Sequence, residues 1–126
     1  MATIKLLLAS AMVSASGAAF ACGACLEDKI AATYDHAVVT AAAAKGDRVV
    51  FGAIDGPIDA RLVSERVRAT ASKIPGVRPE TVHASPAPPA FSFAIDRRAQ
   101  KPEAAVAELE RRLAVPGVHL SIIRVQ

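Results

Sequence analysis

The first regular pattern of apolar and polar positions covers residues 26–45. Apolar residues recur there at spacings of three and four, at Leu26, Ile30, Tyr34, Ala37, Val38 and Ala41. This spacing predicts one amphipathic α-helix, which we expect Gly46 to end. An apolar stripe of this kind must be buried against another part of the protein.

The rest of the chain alternates between strand and helix patterns. Strands are predicted over residues 48–54, 81–85, 91–95 and 118–125, and helices are predicted to start at Pro57 and Pro102. The order strand, helix, strand, strand, helix, strand is the ferredoxin-like βαββαβ arrangement. We therefore expect an α+β fold in which two helices cover one face of a four-stranded antiparallel sheet, preceded by an extra N-terminal helix.

The second face of this sheet is not polar throughout. The apolar side chains expected there are Val50, Ile54, Ile123 and Val125. Because an exposed apolar face needs a cover, we expect the first helix to lie across it, with a homodimer as the alternative. One end of that helix would then come near His83 or His119, which fall on the second and fourth strands.

The N-terminal residues have the order of a secretory signal peptide. Lys5 precedes an apolar run over residues 6–13, and a small-residue stretch ends in Ala19-Phe20-Ala21. The run is too short to span a membrane comfortably, because a span needs roughly 20 apolar residues. We expect cleavage after Ala21 and an exported, periplasmic protein. A lipoprotein acylated at Cys22 is the main alternative.

This reading divides the chain into a signal peptide (1–21), a segment with both cysteines and the first helix (22–46), and a ferredoxin-like domain (47–126). Cleavage removes Lys5, one of the 15 basic residues, so 14 remain against 12 acidic residues. A balance this even, with the charges interspersed, argues against nucleic-acid binding. Trp is absent and other aromatic residues are few, which argues against surfaces that stack bases.

Four segments of residues 48–126 together form a recognisable pattern: Ile74-Pro75-Gly76-Val77, the strand at Val82, Phe93-Ala94-Ile95-Asp96 and Pro102-Glu103-Ala104-Ala105. With these segments, residues 48–126 resemble the heavy-metal-associated domains of copper chaperones and transport ATPases. In that family, a CxxC in the loop between the first strand and the first helix binds Cu(I). The corresponding residues here, 52–57, contain no cysteine. The resemblance therefore implies the fold and does not transfer the family's metal site.

Both cysteines of the chain lie in Cys22-Gly23-Ala24-Cys25, which becomes the N-terminus after the expected cleavage. Two thiolates at this spacing can bind one soft metal ion, and thiolate ligands select Cu(I), with Zn(II) next. We expect Cys25 at the N-terminus of the first helix, where the helix dipole lowers the pKa of a thiol. The preferred function is a non-enzymatic, soft-metal-binding protein in metal trafficking or resistance, with a metal transporter as partner.

Two other functions fit the same cysteine pair. The pair can cycle between dithiol and disulfide with a thiol-redox partner, which would be an enzymatic role without other catalytic residues. It can also form a passive disulfide, since disulfides form readily in exported proteins, in which case the chain is an interaction module.

His36 is the auxiliary metal ligand that we consider beside Cys22 and Cys25. It lies eleven residues after Cys25, or about 16 Å along a straight helix. His36 and Cys25 can therefore bind one ion only if the N-terminal segment folds back or two chains pair antiparallel.

Overall fold

The computed structural model describes residues 19–56 and 59–126. Its helices are α1 (Ala19–Thr33), α2 (His36–Lys45), α3 (Ala60–Ala71) and α4 (Pro102–Leu113), and a short 3-10 turn covers Pro79–Thr81. Its strands are β1 (Arg48–Asp55), β2 (His83–Pro86), β3 (Pro89–Ile95) and β4 (His119–Val125). They form one antiparallel sheet in the order β2-β3-β1-β4. This order confirms the predicted α+β, ferredoxin-like fold.

The prediction of one continuous helix over residues 26–45 is wrong, because the chain breaks into α1 and α2 at Tyr34-Asp35. Asp35 has an extended backbone (φ −131°, ψ 112°), and its Oδ1 accepts hydrogen bonds from the N–H groups of Ala37 and Val38. Asp35 is therefore the N-cap of α2, and it satisfies two amide groups that would otherwise lack partners. Gly46 ends α2 as expected, in the left-handed conformation (φ 75°).

The main core lies between the sheet and helices α3 and α4. Its largest fully buried side chains on this side are Val50, Val67, Phe91, Phe93, Ile95, Leu109 and Leu113. The ring of Phe91 lies directly over Gly52, where an added Cβ would come 2.1 Å from Phe91 Cζ. Gly52 thus allows an aromatic ring to pack against the centre of the sheet.

Helices α1 and α2 cover the opposite face of the sheet. The buried cluster there consists of Ile30, Ala42, Val49, Phe51 and Ala94, with Val38, Val39 and Ile123 packed against it. The expected cover is therefore present within the chain itself. Among the described residues, no helix is long and apolar enough to cross a membrane.

Three of the four side chains expected on this second face are on the other one. Val50 and Ile54 pack into the main core, and Val125 pairs with Val50, so it lies on the same face. Val49 and Phe51 take their place under α1 and α2, next to the expected Ile123. The residues of β1 between its two ends are all buried, so the strand reads as a continuous apolar run that does not alternate. When both faces of a strand are covered, its sequence does not indicate which side chains point to which face of the sheet.

Candidate functional site

The candidate site is the N-terminal half of α1, which carries both cysteines. Helix α1 contacts all four strands of the sheet, so it crosses the strands instead of running along them. The strands place Arg124, Phe51, Ser92 and His83 side by side in one row from β4 to β2. Helix α1 follows this row.

Three polar contacts fix the direction of α1 along the row. Glu27 Oε1 lies 2.7 Å from Arg124 Nη2 on β4. The buried Ser92 hydroxyl on β3 donates a 2.9 Å hydrogen bond to the Thr33 carbonyl. Just past the end of α1, Asp35 Oδ2 lies 3.3 Å from His83 Nε2 on β2. The distance is that of an ion pair, but the geometry is not that of a hydrogen bond. The helix therefore runs from the β4 edge at Glu27 toward the β2 edge.

Cys22 and Cys25 precede Glu27, so their backbone belongs to the end of α1 that lies toward β4. Their side chains are outside the described residues. The opposite end of α1 is eight residues beyond Cys25, which is about 12 Å of helix, and His83 is beside that end. His119 begins β4, five residues before Arg124, or about 16 Å along the strand. The structure thus brings neither histidine to the cysteine-bearing end of α1.

His36 is also separated from the cysteines along the chain by the whole length of α1 beyond Cys25. It is the first residue of α2, where its Nδ1 lies 3.4 Å from the Tyr34 hydroxyl and its Nε2 lies 3.5 Å from Thr40 Oγ1. Among the side chains that the structure describes, those of residues 26–56 and 59–126, no three of His, Cys, Asp or Glu are placed to hold a metal ion. An auxiliary role for His36 stays a prediction.

In the chain as described, α1 includes Cys25 and extends back to Ala19, six residues before it. The stabilisation of a thiolate by a helix N-terminus falls off within the first turn. The expectation that Cys25 lies at the N-terminus of the first helix concerns the chain cleaved after Ala21, and it stays a prediction. Alanine favours helix, so Ala19-Phe20-Ala21 fits a helix as well as the end of a signal peptide.

The loop after β1, where the resembling family keeps its cysteines, has a different construction here. The backbone of Gly56 packs so closely that an added Cβ would lie 2.6 Å from the Gly117 carbonyl oxygen. Asp59 Oδ1 accepts a 3.0 Å hydrogen bond from the Arg61 N–H and caps α3. In the described part of this loop, the polar groups serve packing and capping and offer no soft ligand.

A polar cluster that the sequence did not indicate lies at the end of the sheet where β1 begins. Asp47 is buried, and it accepts hydrogen bonds from Arg78 Nε at 3.0 Å and from Arg78 Nη2 at 3.2 Å. The hydrogen bond and the charge of Asp47 raise the pKa of the Arg78 guanidinium. Because 31 residues separate the two side chains, no local pattern predicts the pair.

The chain matches no protein-family model, and no curated protein matches it in sequence. Among solved structures, it is similar to a copper binding domain from HMA7, a P-type ATPase, with a TM-score of 0.52 and 19% sequence identity. The described chain has the fold of that domain. The match covers 97% of the HMA7 domain and 63% of this chain. At this level of identity, the similarity shows the fold alone.

Proposed function

We propose that this chain is an exported protein that binds a soft metal ion, Cu(I) in particular, through Cys22 and Cys25, and acts in metal trafficking or resistance. The observation that supports the proposal is the match to nearly the whole of a copper-binding domain. A second supporting observation is that both cysteines of the chain lie on the helix that crosses the sheet.

The chemistry of the cysteine pair agrees with this function. The two positions are three residues apart in α1, and positions at that spacing are neighbours on the surface of a helix. Two thiolates favour Cu(I), with Zn(II) as the next choice. The ion is cargo in this proposal, so the site must both take up the metal and release it to a partner such as a metal transporter.

Export changes the position of the pair within α1. Cleavage after Ala21 would shorten the helix so that Cys22 becomes its first residue and Cys25 lies in its first turn. The helix dipole would then favour both thiolates, and the new α-amine of Cys22 would be a third donor. The contacts of Glu27, Ser92 and Asp35 all lie beyond the cleavage point, so the shortened helix would keep its place on the sheet.

Anaerobic titration of Cu(I) into the reduced chain 22–126, in competition with a chromogenic chelator, tests the proposal. We expect competition at submicromolar free Cu(I), and its loss in the double variant Cys22→Ser, Cys25→Ser. His119→Ala, on β4 and away from the cysteine-bearing end of α1, is the matched control, and we expect it to bind Cu(I) as the unmodified chain does. His36→Ala tests the auxiliary role of His36. A loss of affinity in His36→Ala would instead show that the N-terminal segment folds back or that two chains share the ion.

The thiol-exchange alternative gives a different result in the same protein. It requires the absence of Cu(I) competition together with a reduction potential in the range of redox enzymes, about −120 to −270 mV. A potential below about −300 mV without Cu(I) binding would indicate a passive disulfide. Either result would contradict the metal-binding proposal.

A further inference from the structure

A polar cavity of about 140 Å³ lies at the end of the sheet where β1 begins and β3 ends. Four cationic residues line it, Lys45, Arg78, Arg97 and Arg98, together with the two carboxylates of Asp47 and Asp96. It is on a different part of the fold from the cysteine-bearing end of α1. The volume is that of about five water molecules in the liquid, which is room for a small tetrahedral anion.

Both carboxylates of the cavity already have partners. Asp47 accepts two hydrogen bonds from Arg78 and is buried behind it. Asp96 Oδ1 accepts a 2.9 Å hydrogen bond from the Arg98 N–H, and its Oδ2 lies 3.9 Å from Arg78 Nη2. These contacts hold the Arg78 guanidinium in one orientation. Since two of its five N–H groups bind Asp47, three are left, including both of those on Nη1.

The cationic side chains outnumber the carboxylates by two around this cavity. In the part of the chain that the structure describes, the charged side-chain groups of Lys45, Arg97 and Arg98 have no carboxylate within 4.0 Å. The carbonyl end of α2 also points this way, but its Ala42 and Ala43 carbonyls already accept hydrogen bonds from Asp47 N–H and Gly46 N–H. The residues that line the cavity therefore supply donors and an excess of positive charge.

We propose that this cavity binds an oxyanion of the phosphate or sulfate class. Arg78 is the fixed donor, because Asp47 and Asp96 hold it, and the exposed side chains of Lys45, Arg97 and Arg98 close around the anion. Guanidinium groups suit this task because their planar donors match the oxygens of phosphate and sulfate. The anion would also relieve the repulsion among four cations placed around one small volume.

Amide chemical-shift titration of the exported chain with inorganic phosphate and with sulfate tests the site. Sodium chloride at the same ionic strength provides the reference. We expect saturable shifts at Gly46, Arg78 and Arg98 with both oxyanions. In the double variant Arg97→Gln, Arg98→Gln, which leaves Arg78 and Asp47 in place, we expect affinity to fall by about tenfold or more for each lost charge-assisted contact.

The matched control is Arg61→Gln, Arg66→Gln on α3, which removes the same charge from exposed positions away from the cavity. Equal weakening in both double variants, or shifts that chloride reproduces, would overturn the proposal.

Vesicles distinguish the two sources of a phosphate group. If the group belongs to a lipid, phosphatidylglycerol vesicles sediment the unmodified chain and the α3 control but not the Arg97, Arg98 variant, and phosphatidylcholine vesicles sediment none of them. If the group is a free anion, phosphate saturates the site and phosphatidylglycerol vesicles leave the chain in solution. Binding to neither probe would show that the cavity is not an anion site.

Discussion

Replacement of Ile30 by Ala tests whether α1 is packed against the sheet as a stable layer. Ile30 is only 6% exposed and belongs to the cluster that also contains Val49, Phe51 and Ala94. The change removes three carbon atoms, at about 0.8 kcal/mol for each buried group, or about 2.4 kcal/mol in total. A residual cavity adds to this figure, and partial collapse of α1 onto the sheet subtracts from it. We therefore expect a loss of about 2–3 kcal/mol in the free energy of unfolding.

The chain carries its own probe of this layer. Tyr34 is the only tyrosine, Trp is absent, and the Tyr34 ring stacks on Phe51 with centroids 6.2 Å apart. Tyrosine fluorescence during urea unfolding therefore reports whether α1 and α2 stay on the sheet, and far-UV circular dichroism reports the whole chain. With a slope of about 1–3 kcal/mol per molar urea, the expected loss lowers the midpoint by about 0.7–3 M.

Leu26 provides the matched control on the same helix. It is 44% exposed, so Leu26→Ala should change the unfolding free energy by no more than about 0.5 kcal/mol. If Ile30→Ala shifts both signals no more than Leu26→Ala does, α1 is not packed on the sheet through Ile30. A Tyr34 transition that precedes the circular dichroism transition in Ile30→Ala alone would show that the helical layer separates first.

Three further changes have expected outcomes. Gly52→Ala should lower the melting temperature by about 5–15 °C, because its Cβ would overlap the Phe91 ring and overpacking costs about 1–3 kcal/mol; an unchanged melting temperature would contradict this packing. Ala114→Gly should stabilise the chain by about 1 kcal/mol in urea unfolding, because Ala114 ends α4 in the left-handed conformation (φ 50°), and a loss of stability would refute this. Intact mass measurement after expression in a bacterium should give a chain beginning at Cys22; a lipid-sized increment there would show acylation, and a mass that includes Met1 would contradict export with cleavage.

The fold could be predicted because the relevant signals are local. Gly46 ends α2 and Pro102 begins α4, as their residue types predict, and Phe91, Phe93 and Ile95 alternate with small residues along β3. These patterns are decided within a few residues by backbone chemistry and side-chain alternation. Element order then follows directly, and the ferredoxin-like topology is one of few arrangements that satisfies it.

The details that failed depend on tertiary packing. The apolar stripe continues in helical register past Asp35, so the sequence pattern favours one continuous helix there. In the structure, Asp35 instead caps α2, and its carboxylate lies near His83 on β2. The side to which each residue of β1 points could not be read, because both faces of that strand are covered. The Arg78–Asp47 pair joins residues far apart in the chain, so only the folded arrangement reveals it.

The positions that determine the fold and the positions proposed to bind metal are separate in this chain. The core residues that resemble a heavy-metal-associated domain do not include the loop after β1, and there Gly56 packs against Gly117 too closely for a larger side chain. A cysteine at position 56 would therefore overlap the Gly117 carbonyl. The added helices cover a second face of the sheet, and α1 is anchored to β4, β3 and β2 through Glu27, Thr33 and Asp35. A pair of ligands on α1 is therefore held against the same sheet, and the loop after β1 need not supply ligands. The chain can thus have the fold of a heavy-metal-associated domain although its cysteines lie on α1 and not in that loop.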